Sequence, residues 1–363
     1  MRVTISACRM SDMPAQSAPQ LPGMNHDELM ALIRDWRLPA YRARQVMQWR
    51  NLGVLDPDAM TNLPLPLRQK ISQNLNCQPI TATQRQISSD GTRKYLFRLS
   101  SGKQVETVFI PEPDRGTVCI STQVGCVFDC PFCHTGTQRF EGNLSCGEIV
   151  AQILAVKQDL QHEPPAQELA GIVSHVVYMG MGEPLANEKA VHASLSLLME
   201  DDGLGLSRRR ITVSTSGLTP AIARLGEAYP VNLAVSLHAA TDSLRDKLVP
   251  INRKHPLAEL RQCLDAYPLG KQRHITLEYV MLDGVNDRDA DIDALARFAR
   301  RDRERVNLIY FNPYPGSPYL GSSPARIALA ANHLINHGIR ATVRRSRGGD
   351  IMAACGQLRA QTA

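Results

Sequence analysis

Three cysteines, Cys126, Cys130 and Cys133, lie in the run Gly125-Cys-Val-Phe-Asp-Cys-Pro-Phe-Cys, a C-x3-C-x2-C spacing directly after an apolar stretch. Thiolates this close together can hold three corners of a [4Fe–4S] cluster and leave the fourth iron open to a small molecule. Sulfur donors suit iron–sulfur or zinc and suit magnesium or calcium poorly. The competing reading is a structural zinc knot, which ordinarily closes with four Cys or His ligands. His134 is a possible fourth ligand, but adjacent residues rarely reach one tetrahedral centre together. The spacing therefore favours the open cluster.

Such a loop needs a scaffold, and the apolar pattern supplies one. Apolar, β-branched runs recur at 117–123, 175–181, 210–216, 231–237, 274–282 and 306–312, with helical patterns at 146–160, 187–199, 256–267 and 287–300. The first helix carries a capping box, Ser145-x-x-Glu148. Six strands alternating with helices predict an α/β fold with parallel βαβ units, as an open sheet or incomplete barrel whose chemistry gathers at the C-terminal strand ends. A seventh strand-like run spans 339–346. The cysteine loop follows the first run, Gly180-Met-Gly182-Glu183-Pro184 the second, Ser214-Thr-Ser-Gly217 the third, Ser236-Leu237-His238 the fourth and Asn312-Pro313 the sixth. Any one of these could be an ordinary strand end. Five of them around one thiolate loop predict a site.

Upstream, Leu29, Leu32, Ile33 and Trp36 recur at helical spacing, and Val46, Met47 and Trp49 follow a break at Pro39, so residues 25–78 read as a small helical domain. Arg34, Arg37, Arg42, Arg44 and Arg50 make its face either a phosphate-binding surface or a plain solvated one. Residues 79–112 read as an antiparallel meander with turns at Ser89-Asp90-Gly91 and Ser100-Ser101-Gly102, and Glu106 lies in its last strand. Residues 1–24 read as a disordered tail, 113–348 as the α/β body and 349–363 as a C-terminal segment.

The chain has 363 residues, is 43% hydrophobic and carries a net charge of +6, so it can bury a large core and tolerates a nucleic-acid partner. No run approaches the 18 or so apolar residues of a membrane span. The nine cysteines are odd in number and clustered, unlike a secreted disulfide framework, which predicts a cytoplasmic protein. Cys8, Cys77, Cys146 and Cys263 read as small core or surface residues.

The cysteine loop together with Gly-x-Gly-Glu-Pro resembles the radical S-adenosylmethionine superfamily. Longer strings narrow the likeness: Cys119-Ile-Ser-Thr-Gln-Val-Gly-Cys126, Met179-Gly-Met-Gly-Glu-Pro-Leu, Val213-Ser-Thr-Ser-Gly, Leu233-Ala-Val-Ser-Leu-His, Pro250-Ile-Asn-Arg, Glu278-Tyr-Val-Met-Leu-Asp-Gly-Val-Asn, Asn307-Leu-Ile-Tyr-Phe-Asn-Pro and Asp350-Ile-Met-Ala-Ala-Cys355-Gly-Gln-Leu. Over residues 27–358 these resemble the RlmN/Cfr family of RNA methyltransferases. The resemblance implies a partial (β/α)6 barrel and methylation of adenine 2503 of 23S rRNA at C2, with adenine 37 of some tRNAs as a further substrate. C8 methylation, or a paralogue with another RNA substrate, is the alternative.

It also implies a [4Fe–4S] cluster on Cys126, Cys130 and Cys133 and two S-adenosylmethionine molecules consumed per methylation. Gly182, Glu183, Ser214, Ser236, Leu237, His238 and Asn312 match the cofactor contacts. Cys355 matches the methyl-accepting nucleophile, Cys119 the thiol that resolves the adduct through a transient disulfide, and Glu106 the acid/base residue. An electron donor such as flavodoxin and a monomeric state are further expectations. The chain departs from the family after the cluster, where Arg139 and Gly142 stand in Thr135-Gly-Thr-Gln-Arg-Phe-Glu-Gly-Asn-Leu, and at Met352, where an acidic residue is usual. The shifted loop leaves room for an altered RNA preference.

Overall fold

The computed structural model describes residues 18–165 and 172–360. Three helices open it, α1 (His26–Asp35), α2 (Tyr41–Asn51) and α3 (Leu65–Asn74). Asn25 caps α1 in a capping box with Glu28. Leu29, Ile33, Val46, Met47, Leu67 and Ile71 meet in a separate small core. The expected tail over 1–24 lies outside the described residues up to residue 17, as does Cys8. Its described end is ordered, because Leu21 is fully buried and donates its N–H to Asn76 O at 3.0 Å. Arg50 also departs from the expected basic face. It is buried, donating to Met24 O and to Asn51 Oδ1.

The meander follows as β1 (Ile80–Ile87), β2 (Arg93–Leu99) and β3 (Gln104–Glu112). Gly91 and Gly102 both hold φ +83°, the left-handed turn conformation glycine adopts without penalty. Next come β4 (Arg115–Cys119), the two-residue strands β5 (Gln123–Val124) and β6 (Gly142–Asn143), and α4 (Cys146–His162), capped by the Ser145–Glu148 box. Then β7 (His175–Tyr178), α5 (Glu188–Met199), β8 (Ile211–Thr215), α6 (Thr219–Ala228) and β9 (Asn232–Ser236) alternate. The chain continues through α7 (Asp242–Leu248), α8 (Leu257–Ala266), β10 (Ile275–Met281), α9 (Asp289–Phe298), β11 (Glu304–Tyr310), α10 (Pro324–Asn336) and β12 (Arg340–Arg344).

One ten-stranded sheet runs β1-β2-β3-β4-β7-β8-β9-β10-β11-β12. The meander joins antiparallel through β3–β4, and every pairing from β4 to β12 is parallel. Strictly sequential order with a helical crossover at each step places the helices on one face and curls the sheet. Among the described residues β1 and β12 remain edges, so the barrel is incomplete, as expected. All seven expected parallel strands form. Helices α6, α7 and α10 also form; α6 and α10 each carry Pro in the first turn, where its missing N–H costs nothing.

An ionic knot joins meander and body. Asp159 on α4 accepts from Tyr95 Oη at 2.7 Å, Arg93 Nη1 at 2.9 Å and Arg85 Nη1 at 2.7 Å. The helical unit is tied to the body by Lys157 Nζ donating to Asn51 O at 2.6 Å and Asn51 Nδ2 to Asp202 O at 2.7 Å.

Candidate active site

The strand ends converge as the alternation predicted. One cavity of about 170 Å³ is lined by Cys126, Cys130, Cys133, Gly182, Glu183, Ser214, Ser236, His238, Asn312 and Cys355. All three loop thiols are free, and burial is the first cause pushing each above its ordinary value, Cys126 to about 12. Without a cation these groups stay protonated, whereas a bound metal reverses that preference. Three unpaired sulfurs on one loop fit the open iron–sulfur cluster. His134 is not a fourth ligand. Its Nδ1 faces Gln357 O at 3.1 Å, its Nε2 lies 3.2 Å from Arg359 Nη1, and its ring stacks on Tyr314.

Glu183 is buried with both oxygens held. Oε1 accepts from Leu185 N at 3.1 Å and Oε2 from Ser216 N at 2.8 Å. Burial raises its pKa, opposed by these hydrogen bonds, and no cationic side chain pairs with it among the described residues. A buried carboxylate aimed at a cavity without a cation fits an ammonium ligand. Gly182, at φ +94°, allows the close approach behind it, since a Cβ there would lie 2.4 Å from Gln123 Cβ. Gln123 is itself buried and locks the neighbourhood. Its Oε1 accepts from Glu183 N at 2.9 Å and its Nε2 donates to Asn143 Oδ1 at 2.8 Å.

His238 sits at φ +55° with Nδ1 accepting from Val280 N at 3.0 Å. Burial, reinforced by Arg245, lowers its pKa to about 3, so the ring is neutral. Leu237 is not brought to the cavity; its side chain is fully buried in the main core. Arg245, fully buried, donates to Leu237 O at 3.1 Å, Ser236 O at 3.1 Å, Ser216 O at 2.7 Å and Asn252 Oδ1 at 2.9 Å. One guanidinium thus clips the ends of β8 and β9 together. No motif in the sequence marks it, because three of its partners are backbone carbonyls and one of these, Ser216 O, belongs to the end of the neighbouring strand.

Cys355 lies on the C-terminal segment, which is laid across the strand ends. Asn312 Nδ2 donates to Cys355 O at 3.0 Å, Gln357 Nε2 to Pro313 O at 2.9 Å and Thr135 Oγ1 to Leu358 O at 2.5 Å. Asn312, expected as a cofactor contact, lines the cavity while its amide holds this segment. Met352, at φ +52°, packs against the small apolar cluster that includes Cys130, Phe311 and Tyr314.

A second, smaller cavity is lined by Cys119, Cys355 and Arg344 together. Both cysteines are free. Cys119, at the end of β4, is pushed up to about 12 by burial first and by Cys355 second, with Arg344 pulling the other way. Arg344 is in turn raised chiefly by Cys355.

Glu106 is not on either cavity wall. It is buried in β3 behind the C-terminal segment, with Oε2 accepting from Arg359 N at 2.9 Å and Oε1 at 3.1 Å from Lys94 Nζ. Burial raises its pKa and Lys94 opposes the shift.

The departing stretch runs from the cluster loop into β6, which pairs antiparallel with β5. Gly125, at φ +71°, lies so close that a Cβ would meet Arg139 O at 2.2 Å. Gly142 holds φ +152°, a backbone region L-residues rarely adopt, and Arg139 is exposed.

Comparison with known proteins agrees with this geometry. The radical SAM superfamily model matches residues 120–296, and the model of the ribosomal RNA large subunit methyltransferase N-terminal domain matches residues 20–76. A dual-specificity RNA methyltransferase RlmN of Methylobacterium radiotolerans is 46% identical over 95% of this chain and 87% of its own length. That of Paracoccus denitrificans is 47% identical over 96% and 92%. The crystal structure of a radical SAM methyltransferase from Sphaerobacter thermophilus superimposes with a TM-score of 0.88 at 44% identity, covering 94% of this chain and 100% of the other. Likeness of this degree along nearly the full length, over a site with the matching thiols in place, shows that the chain belongs to the RlmN family of radical S-adenosylmethionine methyltransferases.

Proposed function

We propose that this enzyme methylates C2 of an adenine in RNA, adenine 2503 of 23S rRNA and adenine 37 of some tRNAs, through a methyl-cysteine on Cys355. The observation that carries this reading is the position of Cys355, which lines the cluster cavity on one side and the Cys119 cavity on the other. Adenine C2 lies between two ring nitrogens and is electron-poor, so a plain polar methyl transfer to it has no nucleophile. When bound on Cys126, Cys130, Cys133 and Glu183, the cluster and S-adenosylmethionine would supply the methyl group and the one-electron chemistry that activates it.

The chain's own groups do the rest. The Cys355 sulfur, which shares a cavity wall with Arg344, accepts the methyl group. Once the methyl carbon on Cys355 is joined to adenine C2, with the bound cluster and S-adenosylmethionine as the groups that would take up the hydrogen atom and the electron given up, Glu106 takes the proton displaced from C2. Cys119 then attacks the Cys355 sulfur; the sulfur–sulfur bond forms as the sulfur–carbon bond breaks, and the released carbon is protonated to the methyl product. Cys119 is protonated at neutral pH by its burial, so this attack needs the Arg344 charge close by. Because Arg359 and Lys94 enclose Glu106, the C-terminal segment must shift for Glu106 to reach the base.

A basic groove supports an RNA substrate. A channel of about 580 Å³ on the sheet's inner side is lined by Arg115, Arg210, Arg305, Arg344, Arg345 and Arg347 against Glu112 and Glu278. It meets the cluster cavity at Met179, Glu278 and Arg344. An excess of guanidinium groups over carboxylates suits backbone phosphates. Two S-adenosylmethionine molecules per methylation, an electron donor such as flavodoxin, and a monomer acting on a large RNA complete the reading.

The test is anaerobic reconstitution with iron and sulfide, then incubation with S-adenosylmethionine, a reductant and unmodified 23S RNA fragment, read by nucleoside mass spectrometry. 2-Methyladenosine that disappears in Cys355→Ala and Cys119→Ala supports the reading. 8-Methyladenosine, or no methylated adenosine despite an intact cluster, overturns it.

A further inference from the structure

On the outer, helical side of the body, away from the thiols, Asp293 of α9 faces His333 of α10 and His337 at the α10 cap. One ligand atom from each lies within 4.8 Å of the other two. His333 and His337 are four residues apart and share one helix face, with rings 4.4 Å apart. We propose that Asp293, His333 and His337 form a binding site for a divalent transition metal of the zinc class, clamping α9 to α10.

Two features set this cluster apart from a plain surface ion pair. The first is tautomer control. His337 Nδ1 lies 2.8 Å from His333 O, and a carbonyl can only accept, so the proton sits on Nδ1 and the Nε2 lone pair is free. Metal-binding imidazoles are ordinarily held in this way through their second nitrogen. The second is an unused nitrogen. His333 Nε2 is shielded from solvent and has no hydrogen bond, although Asp293 Oδ1 is 2.7 Å away. The carboxylate thus approaches the ring nitrogen without meeting the geometry of an N–H···O bond, which leaves a shielded, unbonded nitrogen beside a carboxylate oxygen.

Two imidazoles and a carboxylate are borderline donors that suit zinc, cobalt, nickel or copper and are poorly matched to magnesium or calcium. At Zn–N and Zn–O distances of about 2.0–2.2 Å, three such ligands leave a fourth position for water. All three residues are partly or fully exposed, so the ion has a path in. The substrate reaction uses none of them.

The test is titration of the cluster-loaded holoenzyme with Zn²⁺ by calorimetry, with Co²⁺ visible absorption reporting coordination geometry. Loading the cluster first occupies the competing thiols, and its own absorbance reports that they stay occupied. Wild type should take up one Zn²⁺ per chain and melt at a higher temperature with the metal than without it. His337→Gln and Asp293→Asn, both at accessible positions, should each weaken that uptake at least about tenfold, since even losing a ligand's support costs that much. The same variants should abolish the thermal shift and leave methylation unchanged. Zn²⁺ uptake that is absent in wild type, or equal in wild type and both variants, overturns the site. Uptake that rises only as cluster absorbance falls assigns the metal to the thiol loop and also overturns it.

Discussion

The carboxylate of Glu106 accepts the backbone N–H of Arg359 at 2.9 Å, fastening the segment that carries Cys355 over the residue proposed to move the substrate's proton. The second oxygen lies 3.1 Å from Lys94 Nζ. The clasp and the proposed base are therefore one group, which on that proposal reaches the substrate only when the segment lifts.

Glu106→Gln should separate the two halves of the reaction. Methyl transfer to Cys355 does not need this carboxylate, so intact-protein mass should still show the methylated cysteine. Formation of methylated adenine should fall by about 100-fold or more, the usual cost of losing a positioned base. The pH profile carries a sign. Burial raises the Glu106 pKa, so the acid limb of activity should lie above the ordinary carboxylate range, with activity rising as pH increases and the base ionises. Lys94 opposes that shift, so Lys94→Met should move the limb to still higher pH. A limb unmoved by Lys94→Met would argue against Glu106 as the titrating base.

Much of this was legible in the sequence, for a physical reason. A parallel sheet buried on both faces writes each strand as an apolar run and each site loop as the polar residues that end it, so the cysteine loop, Glu183, Ser214 and His238 fell where the alternation placed them. What stayed hidden depends on contacts distant along the chain. Arg245 looks like any helix arginine until Ser216 and Ser236 turn their carbonyls toward it. Gln123 looks like a strand residue until Glu183 and Asn143 share its amide. Leu237 is matched along with its neighbours, yet just past the end of β9 its side chain enters the core while Ser236 and His238 line the cavity.

Arg245→Met should show how far that hidden clip holds the cofactor loops. Removing a fully buried guanidinium strands four acceptors and should cost roughly 3–5 kcal/mol of stability in chemical denaturation. Affinity for S-adenosylmethionine should fall more than the single-turnover rate at saturation, because the loops are displaced and not the thiols. Arg245→Lys, which keeps a donor but not the fork, should fall between. An unchanged cofactor affinity would show that the β8 and β9 ends hold their positions without the clip.

Asp159 tests the knot between meander and body, and its pKa is shifted in the opposite direction to that of Glu106. Burial alone would raise its pKa, but hydrogen bonds from Tyr95, Arg93 and Arg85 outweigh this and lower it. A depressed folded-state pKa contributes stability that is present above the unfolded value near 4 and is lost as pH falls through the folded value. Asp159→Asn should therefore destabilise by about 2–3 kcal/mol at pH 7, less than for a fully buried pair because the carboxylate is partly exposed. The gap between wild type and variant should close as pH drops below 4. A gap constant with pH would mean that shape, not charge, sets the contribution.

The arginine channel makes the RNA reading quantitative. Arg210 and Arg305 line it away from the thiols, and neither is ion-paired with a carboxylate among the described residues. If RNA phosphates lie along the inner side of the sheet, Arg210→Gln and Arg305→Gln should each weaken binding of an RNA fragment. Each should also lower the slope of log affinity against log salt by about one. Cluster absorbance and cysteine methylation should be unaffected, since both depend on the opposite end of the site. Equivalent changes at Arg34 or Arg37 on the helical unit give the comparison. If those variants flatten the salt dependence and the channel variants do not, the phosphate path runs over α1 and its following turn, and the base alone enters the barrel.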